Sequence, residues 1–136
     1  QRCLNPSISL GLAEAAFEEA IKYVRERRIR GQPVSDYQGI RWKLAEMYRD
    51  IEAGRSLLYR ACATADPFPD PYLSGIAKIT VNEMALRVTS DAIQIHGGYG
   101  YLRDFPVERI YRDVRVCQIY EGTSEVQKIL IGRALA

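Results

Sequence analysis

The sequence is poor in the residues that hold metal ions or form disulfide frameworks. It contains a single histidine, His96, and three scattered cysteines, Cys3, Cys62 and Cys117, with no CxxC spacing. A structural zinc site needs about four cysteine or histidine ligands, and a small disulfide-stabilised domain needs paired cysteines. We therefore expect no metal site and no disulfide framework. A reducing compartment follows, either a bacterial cytoplasm or a mitochondrial matrix.

Strong net charge and long apolar runs are also absent. A formal net charge of +2 is too small to favour nucleic acid or an anionic membrane as a partner. No apolar run approaches the roughly 18 residues that a membrane-spanning helix requires. With 47% hydrophobic and 26% charged residues, the 136-residue chain is typical of one globular domain over residues 1–136. Because the chain opens on Gln1, we expect it to be a piece of a longer protein.

Three long stretches instead show apolar residues at helical spacing. The first begins at Asn5-Pro6, a pair typical of a helix start. The second is capped by Ser35 or Asp36 and stops before Pro67, and the third ends at Gly97. The apolar positions are Ile8, Leu12, Ala16, Ala20 and Val24 in the first stretch, Ile40, Leu44, Met47, Ile51, Gly54, Leu58, Ala61 and Ala65 in the second, and Ala77, Val81, Met84, Val88, Ala92 and Ile95 in the third.

A shorter closing helix is expected to start at Thr123 or Ser124, where Ser124 and Gln127 fit a capping box. Another short helix begins near Pro106. No segment shows the period-2 alternation of a half-buried strand. The pattern predicts an all-α fold, an antiparallel four-helix up-and-down bundle. The apolar face of the closing helix consists of Val126, Ile129, Leu130 and Ala134.

The segment QIHGGYGY (94–101) places two glycines at the end of the third helix. Gly97 can adopt a positive φ and end that helix, and the bare backbone allows a ligand to approach closely. A plain helix terminus and turn explains the same residues. The segment is not GxGxxG and follows no strand, which excludes a Rossmann site.

The segment IYEGTSEVQ (119–127) places Glu121 just before the closing helix. The helix dipole favours a carboxylate there, and this alone would explain the residue. The alternative is that Glu121 acts as a general base. A shared cleft between Glu121 and the Gly97-Gly98 turn is what the catalytic hypothesis requires.

The basic run Arg25, Arg27, Arg28 and Arg30 has two interpretations as well. Guanidinium groups can bind phosphate oxygens in pairs. They are equally typical of a solvated helix end, where cations interact with the C-terminal dipole.

Five segments together resemble the C-terminal domain of the acyl-CoA dehydrogenase family. They are YVRERRIRG (23–31), YQGIRWKLAEM (37–47), QIHGGYGY (94–101), FPVERIYRD (105–113) and IYEGTSEVQ (119–127). The resemblance implies an FAD-dependent enzyme that oxidises an acyl-CoA thioester to its 2,3-enoyl form and passes electrons to electron-transfer flavoprotein. It also implies a homodimer or homotetramer, in which the bundle contributes groups to the FAD of a neighbouring subunit.

The resemblance also implies roles for individual residues. Glu121 would be the base that removes the α-proton, and its backbone amide would polarise the thioester carbonyl. Gly122 and Arg2 would lie near the substrate, although a frayed terminal arginine explains Arg2 equally well. One departure is Arg30, where the family usually has Phe, which bears on local packing and flavin affinity. The residues expected at the cofactor are Arg27, Tyr37, Gln38, Gln94, Gly97, Gly98, Thr123 and Glu125.

Two other functions stay open. An acyl-CoA oxidase on the same scaffold would pass its electrons to oxygen, and a non-catalytic helical module would serve only in oligomerisation. We expect the 136-residue chain alone to hold FAD weakly and to be inactive, because no strand pattern in it could build the β-domain of the family.

Overall fold

The computed structural model describes all 136 residues and consists of five helices and one small β-hairpin. The helices are α1 (Leu4–Glu26), α2 (Gln38–Cys62), α3 (Pro71–His96), α4 (Pro106–Cys117) and α5 (Ser124–Leu135). The hairpin pairs β1 (Arg28–Ile29) with β2 (Gln32–Pro33) in antiparallel register. Single 3₁₀ turns follow the hairpin and α3, at Val34–Asp36 and Gly97–Tyr101.

Helix α3 is the centre of the fold, because every other helix packs against it. Its expected apolar face is confirmed: Ala77, Val81, Met84, Val88, Ala92 and Ile95 are all buried. Side-chain contacts fix the helix directions. Asn5 meets Asn82 and Tyr23 meets His96, so α1 runs parallel to α3. Helix α2 runs antiparallel to both, as Lys43–Asp91 and Arg55–Glu14 contacts show.

The all-α prediction is confirmed, and the short helix expected near Pro106 is present as α4, which buries Val107, Ile110 and Val114 against α1 and α3. With α4 the fold has five helices, whereas a four-helix bundle was predicted. The hairpin was not expected. Its two-residue strands are too short to show a period, and the turn depends on positive φ at Arg30 (51°) and Gly31 (80°).

Two expected helix starts are wrong. Helix α1 begins at Leu4, so Asn5 is no cap; its buried side chain accepts a hydrogen bond from Asn82. Helix α2 follows an extended Tyr37, because Ser35 and Asp36 belong to the 3₁₀ turn. The α2 face itself is buried from Met47 to Ala61, whereas Ile40 and Leu44 are half-buried and Ala65 lies beyond the helix.

Helix α5 starts at Ser124 as expected but presents a different face to the bundle. Thr123 caps it, because its hydroxyl accepts from the Val126 amide. Ser124 and Gln127 are buried. The residues expected to be buried are exposed: Val126, Ile129, Leu130 and Ala134. At the start of α3, the absence of a side chain at Gly75 leaves room for Gln127, whose Oε1 lies 3.3 Å from where a Cβ of residue 75 would be.

None of the five helices combines the length and the apolar character that a membrane crossing needs.

Candidate functional site

A cleft of about 890 Å³ lies where α1 and α3 end and where the hairpin and α2 begin. Its volume falls within the roughly 300–1,000 Å³ of small-molecule sites. Aromatic rings form much of its wall. Tyr23 stacks on His96 with ring centroids 4.3 Å apart, and the Tyr37 hydroxyl donates to the Ile29 carbonyl at 3.0 Å. These contacts hold the wall in one arrangement.

The glycine turn closes one side of the cleft. Gly97 ends α3 at φ 61° and ψ −137°, a conformation that only glycine adopts without strain. A Cβ at Gly97 or Gly98 would meet nothing within 4 Å, whereas a Cβ at Gly100 would lie 2.6 Å from the Ile93 carbonyl oxygen. Gly100 thus packs the turn against α3, and Gly97 and Gly98 leave open space above their backbone.

Arg27 supplies the unpaired positive charge of the cleft, whereas Lys43, which also lines it, is paired with Asp91. The Arg27 guanidinium carbon lies 5.4 Å from the centroid of the Tyr99 ring, which suits a cation–π contact. It forms no salt bridge, unlike Arg41, Arg49 and Arg55 on α2. An unpaired guanidinium at the edge of an apolar cleft is suited to a phosphate.

The structure gathers most of the expected cofactor residues at this cleft. Arg27, Tyr37, Gln94, Gly97 and Gly98 all line it. Gln38 follows Tyr37 as the first residue of α2 but is not part of the wall.

Thr123 and Glu125 lie elsewhere, at the start of α5, beside a smaller cavity of about 140 Å³. The pKa of the Glu125 carboxyl is lowered, because its own backbone amide and the Thr123 hydroxyl donate hydrogen bonds to the carboxylate. These two residues and the cleft do not form one site within a single chain.

Glu121 occupies the loop between α4 and α5. It has a positive φ of 56°, and Gly122 follows at 95°. The Glu121 side chain is exposed and forms no hydrogen bond within the chain, and its backbone N–H is likewise free. The φ of Gly122 disfavours any residue with a Cβ, and a Cβ there would also lie 2.6 Å from Gln127 Nε2, so the Gln127 side chain would have to move. The loop therefore presents a carboxylate and an adjacent free amide to the surroundings.

Lys78 of α3 supports this loop from beneath and was not anticipated. It is 1% exposed, and its Nζ donates to the carbonyls of Cys117 (3.3 Å), Tyr120 (3.1 Å) and Gly122 (2.7 Å). Burial lowers the pKa of the Lys78 ammonium, and the Glu121 carboxylate acts in the opposite direction.

Asn82, one turn further along α3, ties three helices together. Its Nδ2 donates to Asn5 Oδ1 (2.7 Å) and to the Cys117 carbonyl (2.8 Å), and its Oδ1 accepts from Ser9 Oγ (2.6 Å). The sequence did carry a signal for this network: Ser74, Lys78 and Asn82 repeat every four residues, which places polar side chains on one face of a helix that is otherwise apolar.

The expected shared cleft between Glu121 and the glycine turn is not formed. Glu121 lies at the Lys78 end of α3, and Gly97 ends the same helix 19 residues later. At about 1.5 Å per residue the two ends are roughly 28 Å apart. Arg2 lies at the Glu121 end, but its Nη1 donates to the Pro71 carbonyl at 3.4 Å and it forms no ion pair with Glu121.

Comparison with known proteins decides the family. The family model for the acyl-CoA dehydrogenase C-terminal domain matches residues 1–136, which is the whole chain. The chain belongs to the acyl-CoA dehydrogenase family. Within that family it spans about one third of the length of the relatives it matches.

Three relatives of this acyl-CoA dehydrogenase domain illustrate the match. The chain is 41% identical over 128 residues to cyclohexane-1-carbonyl-CoA dehydrogenase of Geobacter metallireducens, covering 93% of the chain and 34% of the relative. It is 45% identical over 129 residues to 3-(aryl)acrylate reductase of Clostridium sporogenes, with coverages of 93% and 34%. The structure of butyryl-CoA dehydrogenase from Megasphaera elsdenii superposes with a TM-score of 0.94 at 44% identity, covering 98% of the chain and 35% of that protein.

Arg30, which stands where the acyl-CoA dehydrogenase family usually has Phe, does not pack into the core of this domain. Arg30 is exposed at the tip of the hairpin, and the neighbouring Arg28 Nη1 donates to the Gly31 carbonyl at 3.2 Å. Position 29, an isoleucine that is 47% exposed, contributes to the wall of the cleft.

Proposed function

We propose that this chain is the C-terminal part of an FAD-dependent acyl-CoA dehydrogenase and that Glu121 is its catalytic base. The carboxylate accepts the α-proton of an acyl-CoA thioester on Oε. The β-hydrogen leaves as hydride, and the C2–C3 double bond forms. The observation that carries this proposal is the Glu121 loop, because it presents an unpaired carboxylate and an unpaired amide side by side. The free N–H is suited to donate to the thioester carbonyl as charge develops there.

The cleft fits FAD. Open space above Gly97 and Gly98 admits a close ligand, and the unpaired Arg27 guanidinium suits a diphosphate. Tyr37 and Gln94 would complete the contacts on either side. When bound, FAD supplies the acceptor for the hydride.

Because the cleft and Glu121 are roughly 28 Å apart in one chain, the catalytic proposal requires a homodimer or homotetramer. In such an assembly the glycine turn of one copy serves a cofactor whose base comes from another copy. Gln38, Thr123 and Glu125 would then approach the cofactor from outside the cleft, and Arg2 and Gly122 would lie beside the acyl-CoA. Electron-transfer flavoprotein as the acceptor and a reducing compartment, cytoplasmic or mitochondrial, belong to the same proposal.

Titration of the intact flavoprotein with acyl-CoAs tests this function. We expect short, medium, long or branched acyl-CoA to bleach the flavin absorbance, with formation of the 2,3-enoyl-CoA. Reduction of electron-transfer flavoprotein under turnover supports a dehydrogenase, and hydrogen peroxide formation would favour an oxidase. A flavin that no acyl-CoA bleaches would leave only the non-catalytic helical module.

Gly98→Val tests the cofactor cleft. The added side chain enters open space, so the fold should tolerate it, but it occupies volume that a ligand needs. Overpacking costs about 1–3 kcal/mol, which corresponds to roughly 5- to 150-fold weaker FAD binding in the intact protein. Flavin retention during dialysis and fluorescence titration measure this. Gly11→Val is the matched control, because position 11 is equally open but lies on the exposed face of α1. Equal FAD affinity in the two variants would contradict the assignment of the cleft.

A further inference from the structure

Lys78 is unusual because its charge is buried without a carboxylate partner in the hydrogen-bond network. The side chain is 1% exposed, and its three hydrogen-bond partners are all backbone carbonyls. Removing an ammonium group from water is costly unless its donors are satisfied. The three carbonyls use all three donors of the ammonium group. All three belong to one short segment, from the last residue of α4 to Gly122.

The positions of these carbonyls determine how the hydrogen bonds from Lys78 orient the Glu121 backbone. The Tyr120 carbonyl belongs to the peptide bond that also contains the Glu121 N–H. A trans peptide is planar, so its N–H points opposite to its C=O. Because the Tyr120 carbonyl points inward to Lys78, the Glu121 N–H must point outward, and it has no partner within the chain.

The Gly122 carbonyl is fixed by the same ammonium, at 2.7 Å. Glu121 is thus held by one hydrogen bond on each side, in a left-handed conformation (φ 56°) that a residue with a Cβ rarely adopts. Without the two bonds, the segment could relax to a negative φ at Glu121. Both the carboxylate and the amide would then change direction.

We propose that Lys78 is a positioning residue for catalysis, which aims the Glu121 backbone N–H and carboxylate at the acyl-CoA thioester by holding the Tyr120 and Gly122 carbonyls. This inference rests on the proposed function of Glu121 and extends it to a residue of a different helix. Lys78 touches neither substrate nor cofactor. It acts through the loop alone.

Lys78→Met in the intact flavoprotein tests the proposal, because methionine is apolar, of similar length and donates no hydrogen bond. Small misplacement of reacting groups costs about 10²-fold in rate. We expect kcat to fall by about that factor, with the KM for acyl-CoA and the FAD content within roughly threefold of wild type. The primary isotope effect with 2-deuterated acyl-CoA should rise, because proton abstraction becomes rate-limiting. Thr89→Val, a buried change on the same helix away from the loop, should leave all these quantities unchanged.

Hydrogen exchange provides a readout that does not depend on activity. The Ile119, Tyr120 and Ser124 amides are bonded within the loop region and should exchange faster in Lys78→Met, while peptides from α2 should not change. If Lys78→Met does not fold, Lys78→Gln, which keeps N–H donors without the charge, is measured in the same way. Because glutamine keeps part of the hydrogen bonding to the loop, its kcat should fall by less than the roughly 10²-fold expected when the loop is fully released.

Several outcomes would overturn the proposal. A kcat within threefold of wild type, with or without faster loop exchange, would show that Lys78 does not position Glu121 for catalysis. So does a loss of activity that is accompanied by loss of FAD and by faster exchange throughout the protein, because Lys78 would then be structural only. If wild type itself is not bleached by acyl-CoA, the proposed function of Glu121 fails, and the exchange experiment still shows whether Lys78 fixes the loop.

Discussion

Glu121→Gln in the intact flavoprotein should lower kcat for acyl-CoA dehydrogenation by roughly 10²–10⁴-fold, the contribution typical of a positioned general base. Glutamine has the same shape but cannot accept the α-proton. FAD should stay bound, because Glu121 is not part of the cleft. The fold should not change either, because the side chain is exposed and forms no hydrogen bond within the chain. Stopped-flow reduction of the flavin by acyl-CoA measures the effect directly.

Glu18→Gln is the control for this experiment. Glu18 is an exposed carboxylate on α1 with no assigned role, and its replacement makes the same change of charge. The two variants should therefore have equal FAD content and thermal stability but differ in rate by the full factor. Near-normal flavin reduction in Glu121→Gln would assign the proton transfer to another group and would end the catalytic interpretation of the loop.

Asn82→Ala should destabilise the fold by about 3–4 kcal/mol, the largest effect on stability that we expect from a single side chain. The truncation leaves Ser9 Oγ and Asn5 Oδ1 without their partner and removes one of the two donors to the Cys117 carbonyl, which Lys78 still bonds. Each buried polar group left unpaired costs about 1–3 kcal/mol. The three partners lie on α1 and at the end of α4, so the loss weakens two interfaces of α3 at once. Urea unfolding followed by circular dichroism gives the free energy of unfolding.

Thr89→Val is the matched change on the same helix. Thr89 is fully buried, but its hydroxyl donates only to the Ala85 and Leu86 carbonyls of α3 itself. Those carbonyls keep their helical hydrogen bonds when the hydroxyl is removed, so a change of about 1 kcal/mol or less is expected. Equal losses in the two variants would show that the network around Asn82 contributes nothing beyond its volume.

Helical periodicity predicted the buried face of α3 well, because every other helix packs against α3 and covers its apolar residues. Every expected apolar position of α3 is buried on its neighbours. Helix α5 shows where the same reasoning fails. Its apolar residues are exposed and Gln127 is buried against Gly75 and Gly122, although the buried Gln127 Oε1 has no hydrogen-bond partner. Spacing within one helix cannot reveal the shape of the surface that receives it.

Some residues of the candidate site could also be predicted from the sequence, and others could not. The positions of Gly97 and Glu121 beside helix ends were predictable from local motifs, whereas their roles stay predictions. Lys78 was not predictable, because its role depends on carbonyls about 40 residues away, and a lysine is expected at the surface. The separation of Glu121 from the glycine turn also depends on the packing of α4 and α5, which local motifs do not describe.

The position of Lys78 and Gly97 on one continuous helix restricts how this region can evolve. Inserting one residue between them would rotate the two helix ends relative to each other by about 100° and shift them by about 1.5 Å. The ammonium would then leave the Glu121 loop, or the glycine turn would leave the cleft. The length of the intervening segment is therefore as constrained as its buried face, and only its exposed positions, such as Arg87 and Ser90, are free to change.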